Sequence, residues 1–208
     1  MSPILPSLVA FTAAAALLTV TPGLDTALVL RTATADGARR AFAAGLGICL
    51  GCLAWGVATA FGLGLLLRAS SFAYTALRWT GAAYLLWLGV HLLMRPRGAF
   101  DTEAVAPRAE GSAWFRRGFL TNLLNPKVGI FYMSFLPQFI PPGADVAFFT
   151  LLLATVHALL GLAWFALLVV ATRPLAMALR RPALVRTLDR VTGGLFLLFG
   201  LRLALTRD

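Results

Sequence analysis

Charge is scarce in this chain. Only 12% of its 208 residues are charged, eight of them acidic, while 60% are hydrophobic and the mean hydropathy is +0.85. One small soluble core cannot hide that much apolar surface, so the composition excludes a soluble globular domain and places the chain in a lipid bilayer. Histidine occurs twice, and no HExxH or other recognisable metal or nucleophile motif is present, which disfavours a membrane hydrolase. Cysteine also occurs twice, as Cys49 and Cys52 in CLGC. A membrane thiol-disulfide electron carrier wants one cysteine in each half of the molecule, and the second half has none. A metal site wants more ligands than two thiols. The pair therefore reads as small packing residues on adjacent turns, overlapping Gly47-x-x-x-Gly51, a spacing that suits close helix contact. No Lys or Arg precedes Arg31, so MSPILPSLVAFTAAAALL lacks the basic start of a secretory signal and is expected to be a retained first helix.

What the chain does have is apolar runs long enough to cross a membrane. With about 20 residues needed per crossing, spans are expected at roughly Ile4 to Leu30, Ala41 to Leu67, Phe72 to Leu93, Gly118 to Ile140, Val146 to Ala171 and Leu184 to Leu205. The last is interrupted by Arg186, Asp189, Arg190 and Arg202. Arg95 to Arg117 is polar and rich in Pro, Gly and Ala, the one real linker. The 18 Lys and Arg would suggest nucleic acid in a soluble domain. Here they fall mostly between apolar runs and report topology, with no nucleic-acid partner. Three lie between spans 1 and 2 (Arg31, Arg39, Arg40), five between 3 and 4 (Arg95, Arg97, Arg108, Arg116, Arg117) and five between 5 and 6 (Arg173, Arg180, Arg181, Arg186, Arg190). The other side has only Arg68, Arg78, Arg202 and Arg207, so 13 face 4, with Lys127 left inside. The positive-inside rule puts the three rich loops in the cytoplasm and both termini outside.

RWTGAAYLLW (Arg78 to Trp87) and RVTGGLFLLF (Arg190 to Phe199) align without gaps at an offset of 112. Pro22 in LLTVTPGLD and Pro126 in TNLLNPKVG are 104 apart. Spans 3 and 6 thus correspond, as do 1 and 4. Three spans per half is an odd number, so the second copy must enter from the opposite side. The expected fold is an all-α integral membrane protein forming a single transmembrane domain. Six helices make two inverted three-helix repeats, 1–94 and 118–208, around a cytoplasmic linker, 95–117.

Each proline lies nine residues from a cytoplasmic arginine, Arg31 or Arg117. At ~1.5 Å per residue both breaks sit about 13 Å into a core about 30 Å thick, near the midplane. A broken span exposes backbone carbonyls and amides, which lipid does not tolerate unless they face protein or a water-filled cavity. Paired breaks at one depth therefore point to a binding site. Around them sit Thr21, Gly23, Asp25, Asn125 and Lys127. An amino-acid zwitterion needs an acceptor for its ammonium and donors for its carboxylate, and these clusters supply both. The bland alternative is that Asp25 and Lys127 only pair with each other and staple span 1 to span 4. His157, mid-span 5, is a candidate for proton relay or substrate contact, with a structural hydrogen bond as the equal alternative.

TPGLD, NLLNPK and FLPQF, in a chain of this length with a basic central linker, resemble the lysine exporter (LysE) and RhtB family of bacterial amino-acid exporters. The resemblance covers nearly the whole chain. It implies a multi-pass carrier of the bacterial plasma membrane that expels amino acids or small derivatives on the proton gradient, needs no cofactor and forms a homodimer. It carries over Thr21, Pro22, Gly23, Asp25, Asn125, Pro126 and Lys127 as signature positions. Leu24 departs from it, standing where members often have a second proline. A divalent-metal exporter of the same superfamily is the alternative, since CLGC offers thiols, although the midplane clusters hold only one carboxylate.

Overall fold

Alanine and leucine dominate the chain's apolar runs, and both favour helix. The computed structural model describes residues 4–69, 71–96 and 113–205, and these are helical with no strand among them. Helix α1 (Ile4–Val20) and α2 (Leu24–Ala35) meet at an angle of 51° across Thr21, Pro22 and Gly23. Gly37, at φ 91°, ends α2 in the left-handed conformation that glycine adopts without cost. Then come α3 (Ala38–Ala69) and α4 (Ser71–Met94). After the linker, α5 (Ala113–Leu123) and α6 (Pro126–Ile130) run into a π-helical turn (Phe131–Phe135) and a 3-10 turn (Leu136–Phe139). Helix α7 (Val146–Val170) is capped by Asp145, whose carboxylate accepts from the Phe148 amide at 2.7 Å. Helices α8 (Thr172–Leu179) and α9 (Pro182–Leu205) complete the chain.

Every expected span has a helical counterpart, with ends shifted by a few residues. The fourth is in four pieces, more fragmented than one proline requires, and the short α8 was not expected. Among the described residues two helices, α3 and α7, are long and apolar enough to cross a membrane, and the bent pair of α1 and α2 makes a third. Residues 97–112 of the expected linker, and the side chains of Arg68 and Arg78, lie outside the described residues.

Helix α3 is the hub, packing most extensively on α5 and α7, while α4 packs on α9. Close approach there depends on missing side chains. A β carbon on Gly47 would run into the Phe115 carbonyl, and one on Gly118 into the Ala44 carbonyl. The Gly47-x-x-x-Gly51 spacing is therefore a helix contact, as its pattern suggests. The core is aromatic where α1, the π and 3-10 turns and α9 converge. Phe11 meets Phe139 at 5.4 Å between ring centroids, and Phe135 meets Phe199 at 4.4 Å. These edge-on contacts hold FLPQF, and so the end of the second broken element, against the first.

Candidate functional site

The first break follows from Pro22, which has no amide hydrogen and disfavours helix at Thr21. The Thr21 amide makes the last bond of α1, to the Leu17 carbonyl at 3.1 Å. Its hydroxyl donates to the same carbonyl at 2.7 Å. That hydroxyl also lies 2.6 Å from the Thr192 hydroxyl on α9. With its own hydrogen committed to Leu17, Thr21 accepts and Thr192 donates. Helix α2 then opens with Asp25 in its first turn, where the helix dipole favours an anion.

The second break is capped. The Asn125 side chain accepts from the Lys127 amide at 3.1 Å, and Pro126 takes the first helical position, where no amide hydrogen is needed. The cap sets Lys127 in the first turn of α6. There its side chain reaches toward the first break, with Nζ 3.9 Å from where a β carbon on Gly23 would stand.

Both breaks open on one cavity of about 60 Å³, room for about two waters at their liquid volume. Of the sequence-predicted residues, Thr21, Gly23, Asp25, Asn125, Lys127 and His157 all line it. Pro22 and Pro126 do not; they make the breaks that bring the others together. Asp25 and Lys127, the charged residues of the lining, lie near enough to interact electrostatically. Asn122 on α5 donates to Asp25 Oδ2 at 2.8 Å. Asp25 Oδ1 is buried and makes no hydrogen bond of normal geometry, although the Asn125 side chain lies near enough to act on the carboxylate. A buried carboxylate oxygen left unpaired is costly, so this atom is an acceptor in want of a donor. His157 Nδ1 lies 3.1 Å from the Tyr132 hydroxyl in the π turn.

Sequence reasoning passed over Asn122, which is fully buried. Its amide nitrogen also reaches Cys52 Sγ at 3.5 Å, and a β carbon on Gly51 would stand 2.6 Å from its Oδ1. Glycine at 51 is what lets this amide lie flat against α3. The signal was an amide three residues before Asn125 in an apolar span. Cys49 and Cys52 are core residues, as expected, and line the cavity as well. Thr26, whose hydroxyl accepts from Trp164 Nε1 at 3.3 Å, is a further lining residue that no motif marked.

A helical membrane protein with two interrupted helices and, where they meet, a cavity lined in part by Asp25, Lys127 and His157 has the build of a translocator. The chain belongs to the LysE type translocator family, whose model matches residues 16–207. It is 31% identical over 191 residues to the homoserine/homoserine lactone efflux protein of Salmonella typhimurium, covering 92% of each chain. It is 34% identical over 135 residues to the leucine efflux protein of Klebsiella pneumoniae, covering 64% of each. An uncharacterized membrane protein of Bacillus subtilis, YrhP, is 28% identical over 209 residues, 96% of this chain and 99% of that one. No solved structure matches. Family and relatives point to a transporter and not to an enzyme.

Proposed function

We propose that this protein is a secondary transporter that exports amino acids or small amino-acid derivatives across the bacterial plasma membrane, driven by the proton gradient. The observation that carries this reading is the unpartnered Asp25 Oδ1 in a cavity that Lys127 also lines. An α-ammonium supplies the donor Asp25 lacks, and Lys127, with the amides near the breaks, supplies charge and donors for a carboxylate. The names of the Salmonella and Klebsiella relatives support the substrate class. His157 and Asp25 are the groups we assign to proton coupling, since both titrate and both line the cavity. We further propose six crossings in two inverted repeats, with the 95–117 linker cytoplasmic. Support comes from the pairing of α4 with α9, the helices that carry the two related segments, and from the two interruptions meeting at one place.

Cells expressing the chain and preloaded with a panel of amino acids and dipeptides should release at least one of them faster than control cells, and a protonophore should slow that release. Release no faster than in control cells, across the panel, would overturn the exporter reading. Indifference to the protonophore would remove only the coupling.

A further inference from the structure

Glycine inside a helix costs backbone entropy and is kept where a side chain cannot fit. Ten of the described buried glycines, Gly51 and Gly129 among them, would place a β carbon 3.0 Å or closer to a neighbour. Among the described residues, two glycines that are not exposed depart from that pattern. Gly161 is buried in the middle of α7, and the nearest atoms to its β carbon would be Cys49 Sγ at 3.6 Å and Phe165 Cε2 at 3.7 Å, ordinary contacts. Gly23 is half-buried with φ −156°, extended backbone open to any residue, and its β carbon would meet nothing closer than 3.9 Å. Neither packing nor backbone conformation asks for glycine at either place. Both line the same cavity.

We infer that these two absent side chains are space kept for the substrate. In a cavity of about 60 Å³, one methyl group is a large share of the room. Gly161, with Cys49 and Phe165 beside it, opens the compartment that takes the substrate's side chain. Gly23, whose missing β carbon faces Lys127 Nζ, keeps the approach of the carboxylate clear. The wall around Gly161 carries no charge, so the class selected is α-amino acids with a neutral side chain, and Gly161 sets how large that side chain can be. This rests on the exporter reading, and the two can fail separately.

The test is efflux of alanine and leucine by the wild type and by Gly161→Ala, Gly161→Val and Gly23→Ala, with Gly194→Ala as control because Gly194 is exposed on α9 with open space around it. A methylene too many in a pocket changes discrimination by about 10- to 200-fold. The leucine-to-alanine ratio should fall about tenfold or more in Gly161→Val and by less in Gly161→Ala, with both proteins reaching the membrane and unfolding no earlier than the wild type. Gly23→Ala should raise the half-saturating concentration of both substrates alike, and Gly194→Ala should leave the ratio unchanged. An unchanged ratio in both Gly161 variants, or equal loss of both substrates in Gly161→Ala, overturns this inference while the exporter reading stands. A wild type that exports nothing from the wider panel overturns both.

Discussion

At the first break the chain turns by 51° across Pro22, and α2 starts on Gly23 with no side-chain cap. At the second, Asn125 caps α6 and the chain continues through a π turn and a 3-10 turn before it leaves. The charges are also opposite: the first turn of α2 holds an acid, the first turn of α6 a base. An anion there is favoured by the helix dipole and a cation disfavoured, each by about 0.3–1 kcal/mol. Asp25 therefore sits where local electrostatics would put it. The first break is left without a side-chain cap and the second is capped.

The largest expected effect comes from removing either charge. Asp25→Asn and Lys127→Met should each abolish efflux while leaving insertion intact, since a lost charged contact of about 1.5–3 kcal/mol is roughly tenfold to over a hundredfold in affinity. The double neutral variant separates contact from staple. Substrate binding measured on the purified double variant should be lost; retained affinity, or recovered transport, would mean that the two residues serve only each other.

Next comes the group that holds Asp25. Asn122→Leu removes the donor to Oδ2 and should raise the half-saturating concentration about fivefold to tenfold, the equivalent of about 1 kcal/mol. Gly51→Ala should reproduce much of that effect by displacing the Asn122 amide, and the double variant should be no worse than the stronger single, because both act through one contact. Additive losses would place Gly51 in helix packing alone.

A smaller difference tests the contrast between the caps. Asn125→Ala should cost about 1 kcal/mol, or roughly 2–4 °C in unfolding temperature. Gly23→Ala should change stability by less than about 0.5 kcal/mol, since nothing crowds that position. Equal losses at the two sites would erase the distinction between the capped and the uncapped break. The least effect is expected from the thiols. The Cys49→Ser, Cys52→Ser double variant should keep most of its efflux, because serine at 52 still accepts from Asn122. Complete loss in a normally inserted protein would revive the metal reading.

Bilayer placement, the helix-rich fold and the two interruptions at Pro22 and Pro126 were legible in the sequence. So were six residues that line the cavity. Each of these depends on local properties: apolar composition, a ring that removes an amide hydrogen, and a charge too costly to leave in lipid without a partner. Tertiary structure alone decided which distant groups meet. Thr21 finds Thr192, 171 positions away, because α9 packs beside the first break. Asn122 reaches Asp25, 97 positions away, because glycines let α5 lie close on α3. Gly161 resembled any other helical glycine until its surroundings showed room to spare. Helix periodicity specifies which residues share a face, but not which face of another helix will cover it, and that choice made the cavity.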